Sequence, residues 1–335
     1  MISFYVIFIL LNIIIFFNLD RLSKFINIFD KPDNLLKKHK SIVPLIGGFI
    51  LIINIFTYVI LDLIFNLQYF DINISKREYF SLLFLILSFF LIGSYDDKYQ
   101  IKPEKKFFLS ILVSIIVITI NKDMLINNIS ISFYNHIIYL NNFKYFFTIF
   151  CIIILINSLN FYDGINGQSI IFFIISFSFL AIKSSSPTIY ILFICHLLFL
   201  LFLNLRNKIF LGDNGIYVLT IILSISLIYE HNVYKSIIFA DEIFLLLFLP
   251  GLDLLRLTIL RLMKGKNPFY GDRNHIHHLL VKNYSLIKSN FILFVLAIIP
   301  IVSFNILKLN FFLVISIFLI FYLTIILKLK KHGSF

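Results

Sequence analysis

The stretch Lys264–Leu280, KGKNPFYGDRNHIHHLL, carries Lys264, Lys266, Arg273, His275, His277 and His278 against one acid, Asp272. Basic residues beside an apolar segment ordinarily anchor a membrane protein on one side, which accounts for the two lysines. Anchoring does not account for three histidines within four residues. Histidine is a phosphate ligand and a proton carrier near neutral pH, so the stretch calls for an anionic partner.

Four other polar stretches offer matching chemistry. In GSYDDKYQIKPEKKF, Asp96 stands beside Asp97. Adjacent carboxylates repel unless a cation or proton intervenes, which suits Mg2+ coordination or general-base work. Lys106 follows and is placed to meet a phosphate. NSLNFYDGINGQS has no Lys or Arg, so anchoring is not its purpose. It offers Asn157, Asn160, Asp163 and Asn166, with Gly164 and Gly167 to let backbone approach a ligand. Polar groups so near a bilayer are costly unless satisfied. RNKIFLGDNGIY presents Asp213 at the start of an apolar run, a weak signal alone. DKPDNLLKKHKSIVPLIGG holds His39 in a basic patch, and Gly47-Gly48 permit close helix contact. An anchor would be an adequate reading of that last stretch by itself.

These stretches must be positioned by membrane helices. The chain has 335 residues, of which 60% are hydrophobic and 14% charged, with mean hydropathy +0.98. That composition indicates an integral membrane protein with one domain, residues 1–335. The net charge of +12 is then an orientation signal rather than a nucleic-acid footprint. Cys151 and Cys195 lie in apolar runs, and neither a disulfide nor a metal site is expected of them. Eleven apolar runs are legible, beginning with Ile2–Phe17, which reads as a retained helix rather than a signal peptide. Several fall short of the roughly 20 residues of a straight span. If all eleven cross, one side carries 21 Lys and Arg and the other 7, with Arg256 inside a run. The basic side, cytoplasmic by that rule, includes the C-terminus and every polar stretch named above; the N-terminus faces out. Ile129–Leu140 alternates around Tyr134-Asn135 and predicts a short outer hairpin.

Carboxylates, amides, glycines and basic groups on one face together describe an Mg2+-diphosphate site. A transporter of lipid-linked sugars is the reading from another class. It predicts charges spread through the membrane depth, whereas here they gather at one edge. Asp253 and Arg256, three apart, share a helix face and are expected to form an internal ion pair. Asp62 and His196 are expected to be near-interface or helix-packing polar residues.

With the stretches assembled, DKP…KKH…PLIGG, GSYDDKY…K, NSLNFYDGING, KIFLGDNG and PGLDLLRLTILRLMKGKNPFYGDRNHIHHLL resemble the polyprenyl-phosphate N-acetylhexosamine-1-phosphate transferases, glycosyltransferase family 4. The matching stretches run from Asp30 to Leu280 in the family's order. The likeness is greatest to the bacterial branch acting on undecaprenyl phosphate. The resemblance implies a UDP-N-acetylhexosamine donor, transfer of sugar-1-phosphate to undecaprenyl phosphate, and release of UMP, at the start of cell-surface polysaccharide synthesis. It implies Mg2+, with Mn2+ as a substitute, a bacterial inner-membrane location, and allows a homodimer. By motif position, Asp96, Asp97, Asp163 and His275 are implied as catalytic. Asp213 and Asp97 are implied as metal ligands. Lys106, Asn157, Asn160, Asn166, Arg273, His277, His278 and His39 are implied in substrate binding. Asn166 stands where many members carry a second aspartate, and Ile216 where a serine is common. Phospho-N-acetylmuramoyl-pentapeptide transfer, in a more distant branch, is the rival activity.

Overall fold

The computed structural model describes residues 2–32, 41–65, 76–233, 238–267 and 272–332. His39 and its neighbouring lysines lie outside the described residues, as do residues 268–271.

The fold is an all-α membrane bundle, and each expected apolar run forms a helix or a bent pair of helices. The chain begins with α1 (Ile2–Phe17) and α2 (Leu19–Ile26), bent by 71° at Asn18. Two short strands, β1 (Phe29–Asp30) and β2 (Val43–Pro44), pair antiparallel before α3 (Gly47–Phe65). Then come α4 (Lys76–Tyr99) and α5 (Pro103–Ile120), the latter opening on a proline whose fixed φ suits the first helical turn. A hairpin of β3 (Asn128–Ile131) and β4 (Tyr134–Tyr139) leads to α6 (Phe143–Tyr162), α7 (Gln168–Lys183), α8 (Thr188–Leu205) and α9 (Gly212–Val233). The pair α10 (Ala240–Leu246) and α11 (Phe248–Met263) is bent by 68°. The short α12 (Ile276–Asn283), α13 (Leu286–Asn305) and α14 (Phe311–His332) complete the chain.

Among the described residues, six helices are long and apolar enough to cross a bilayer, or up to eight if each bent pair is one span. The expected count of eleven is therefore not reached by this measure. The physical reasons are local. Gln168–Lys183 is short, the described apolar part of α3 is Gly47–Asp62, and α5 carries Glu104, Lys105 and Lys106 in its opening turns.

The hairpin turns at Ser132-Phe133 rather than at Tyr134-Asn135, because Tyr134 already pairs with Ile131. Ser132 is held by the Asp241 carboxylate of α10, and the Phe133 ring lies 5.6 and 5.5 Å from those of Phe311 and Phe312.

The central element is α9, with 78% of its span buried against 28–44% for the other five full-length spans. It packs along α4, α6 and α3. Its first turn enters backbone to backbone between α3 and α4. A Cβ on Gly93 would sit 2.5 Å from the Asn214 Cα, and one on Gly48 would sit 2.5 Å from the Gly215 backbone nitrogen. No rotamer relieves a clash with backbone, so these positions hold glycine for space.

Gly93→Ala should destabilise the purified protein by about 1–3 kcal/mol through overpacking. Gly251→Ala, with nothing within 4 Å of the added carbon, should not. Thermal unfolding of both variants in detergent checks this, and an unshifted midpoint for Gly93→Ala would contradict the packing described.

Candidate active site

The last turn of α6 organises the site because four consecutive residues leave it in different directions. Asn160 reaches Asp213, its Nδ2 donating to Oδ2 at 3.2 Å and to the Tyr217 hydroxyl at 3.3 Å. Phe161 stacks on His275 with centroids 5.6 Å apart. Tyr162 meets the edge of His277. Asp163 caps the helix end and accepts from Ser169 Oγ at 2.5 Å.

On the Asn160 side is a cluster of carboxylates. Lys106 Nζ lies 2.5 Å from Asp96 Oδ2 and 3.1 Å from Asp213 Oδ2. Asp96 Oδ1 accepts from the Ile101 amide at 2.8 Å. Asp97 faces inward instead: Oδ1 accepts from the Asp213 amide at 2.9 Å, and Oδ2 from the Asn214 amide at 3.0 Å and its Nδ2 at 2.5 Å. Among the described residues these three carboxylates meet one ammonium. A carboxylate excess in a partly buried, oxygen-lined site suits a hard divalent cation, and Asp96 and Asp213 each accept two hydrogen bonds against three on Asp97.

Asp163 lies close enough to Asp213 to feel its charge. Burial pushes the Asp163 carboxyl up to about 6, and Asp213 adds to the rise while the Ser169 hydroxyl opposes it. Gly164 follows because the His277 ring occupies the space beside it; a Cβ there would sit 1.8 Å from Nε2.

The histidine stretch is folded over a buried anion. Asp253, 1% exposed, accepts from His275 Nδ1 at 2.8 Å, Arg256 at 2.7 Å and the Tyr322 hydroxyl of α14 at 2.6 Å. The expected Asp253–Arg256 pair is thus present, within a larger network. Arg261 donates to Asp272 at 3.0 Å and approaches His275 Nε2 at 3.3 Å. A guanidinium only donates, so His275 accepts at Nε2 and donates from Nδ1. His275 is 3% exposed and stacked between Phe161 and His277, which makes it a pillar of the loop.

His277 pairs with Gln168 at 3.2 Å. Burial, then His278 and His275, hold its pKa well below the usual imidazole value. Burial and then Arg273 lower His278 to about 4. Both rings are therefore neutral at neutral pH, and the lasting positive charge beside them is Arg273. Asp253, His275 and His277 each offer a ligand atom within 4.8 Å of the others. Arg256 and Arg261 already compensate that ground, which reads as an ion-pair network rather than a metal centre.

Two expected contacts lie elsewhere. Asn166 donates to the Asn204 carbonyl at 3.2 Å and to Asn207 Oδ1 at 2.6 Å, and its carbonyl accepts from Asn290 at 2.7 Å; it staples α7's entry to α8 and α13. Asn157 donates to the Ile153 carbonyl one turn back in its own helix. Sequence reasoning missed Asn214, Tyr217, Ser169, Arg261 and Tyr322. Arg261, charged at the end of an apolar run, was the legible one; Tyr322 lies in α14 with no motif around it.

Fold and site define an all-α, multi-span membrane enzyme with a carboxylate-rich centre at one end of its bundle. Residues 79–231 match the family model described as glycosyl transferase family 4. Over 289 residues the chain is 26% identical to the undecaprenyl-phosphate alpha-N-acetylglucosaminyl 1-phosphate transferase of Escherichia coli (strain K12), covering 83% of this chain and 75% of that protein. It is 27% identical over 284 residues to the protein of that name from Salmonella typhi, covering 81% and 74%. It is also 27% identical over 262 residues to a Bacillus subtilis (strain 168) protein named "probable undecaprenyl-phosphate N-acetylglucosaminyl 1-phosphate transferase", covering 75% and 69%. Residues 79–231 are thus similar to glycosyl transferase family 4, and the relatives support a transferase.

Removing the anion under the histidine stretch should be severe. Asp253→Ala leaves Arg256 without its carboxylate and should cost about 3–5 kcal/mol. Tyr322→Phe loses the hydroxyl's bonds to Asp253 and Arg256 and should cost about 1.5–3 kcal/mol. Unfolding midpoints in detergent test the order, and equal, negligible shifts would refute the network's role.

Proposed function

We propose that this protein transfers N-acetylhexosamine-1-phosphate, GlcNAc-like, from a UDP-sugar to undecaprenyl phosphate, releasing UMP and starting a cell-surface polysaccharide. The observation that carries the proposal is the excess of carboxylate around Asp213, set beside Asp163 and the Arg273-bearing loop. Two phosphate-bearing substrates repel each other, so such an enzyme must supply positive charge and hold both in line. Asp213 and Asp96 would hold Mg2+, or Mn2+ in its place, and that ion would neutralise the donor's diphosphate when bound. Lys106, between the same two carboxylates, adds a permanent charge where the phosphates meet. Arg273 draws the diphosphate to the loop, the neutral ring of His278 offers a hydrogen bond there, and buried His277 supports it from beneath. Asp163, with its raised pKa, would take the acceptor's proton. The names of the relatives support the acceptor and the sugar.

The surplus of basic residues in the loops bearing this chemistry supports a site on the cytoplasmic face of a bacterial plasma membrane, with the N-terminus outside. A C-terminal reporter active only outside the membrane should stay silent; activity from it would overturn the orientation.

Purified protein with UDP-GlcNAc, undecaprenyl phosphate and Mg2+ should release UMP and form a lipid-diphosphate sugar seen by mass spectrometry. Asp213→Asn should lose at least a hundredfold in turnover, about 2.7 kcal/mol or more. Arg273→Ala should lose at least tenfold. A protein that accepts only UDP-MurNAc-pentapeptide, or moves lipid-linked sugar without releasing UMP, would refute the assignment.

A further inference from the structure

The two adjacent aspartates of α4 do not form a pair. Neighbours on a helix point about 100° apart, so Asp96 and Asp97 must face different surroundings. Asp96 turns to Lys106, 2.5 Å away. Asp97 turns into the protein, toward the first turn of α9.

That turn has an unmet need. The first amides of a helix have no acceptors within it. The residue before Gly212 is Leu211, which has no side-chain acceptor to offer as a cap. Asp97 fills the place from another helix, taking the Asp213 amide on one oxygen and the Asn214 amide on the other, with Asn214 Nδ2 joining it. Its negative charge also suits the positive end of the helix dipole. The fit is close: Gly212 has φ +72, and a Cβ there would stand 2.7 Å from Asp97 Oδ2.

We infer that Asp97 is a positioning residue, which caps α9 from α4 and so fixes where the Asp213 carboxylate stands. It is then neither a metal ligand nor a base. Every oxygen it owns is given to α9, and its contacts bracket Asp213 by backbone. Only the activity readout below rests on the proposed transfer reaction; the exchange readout does not.

A cap needs a hydrogen-bond acceptor, whereas a base or an ion ligand needs the carboxylate. Asp97→Asn keeps one acceptor, and Asp97→Ala keeps none. Hydrogen–deuterium exchange of ion-free protein in detergent would be followed in peptides spanning the start of α9. Exchange there should quicken at least tenfold in Asp97→Ala, less in Asp97→Asn, and not at all in Asp96→Asn. UMP release should stay within tenfold of the unmutated protein in Asp97→Asn and fall more than a hundredfold in Asp97→Ala. Unchanged exchange in Asp97→Ala overturns the inference, as does an Asn variant as inactive as the Ala variant. If the unmutated protein releases no UMP, the transfer reaction fails, and the exchange result alone decides the role of Asp97.

Discussion

Three carboxylates gathered at the mouth of a membrane bundle repel one another, and the architecture around α9 answers that constraint. One carboxylate, Asp97, accepts hydrogen bonds from the amide end of α9. Lys106 lies between the other two. Among the described residues, three carboxylates against one ammonium leave this mouth of the bundle net negative. To place amides and carboxylates so near, α9 must approach α3 and α4 at backbone distance, which is why Gly48 and Gly93 stand where they do. Charge and packing are thus one requirement met by the same residues.

Much of this was legible in the sequence. The polar stretches between apolar runs announced their chemistry by residue type, and the hairpin announced itself by alternation. The family resemblance named Asp96, Asp163 and Asp213, and the structure brings them together. Direction was not legible. A list of adjacent letters suggests an acidic pair, while helical geometry turns Asp96 and Asp97 apart. Asn166 has the right type for a ligand contact, yet Asn204, Asn207 and Asn290 engage it, and those partners are distant in sequence.

The histidine stretch shows the other limit. Read as letters it is strongly basic. Folded, His277 and His278 are driven neutral, and His275 is built into a network on Asp253. Burial decides this: Tyr162 and Gln168 cover His277, while α11 and α14 hold His275 through Asp253 and Tyr322. Tyr322 makes the point: its hydroxyl completes the coordination of Asp253 from a helix that carries no motif.

The last turn of α6 behaves like a keyed shaft. Asn160, Phe161, Tyr162 and Asp163 each engage a different neighbour, so the two halves of the site share one angular reference. Shifting that turn by a single residue rotates every key by about 100° and presents each with the wrong lock. The spacing between the apolar body of α6 and its polar tip is therefore a fixed length for this protein, while sequence drift on the lipid-facing sides of the same helix leaves the alignment untouched.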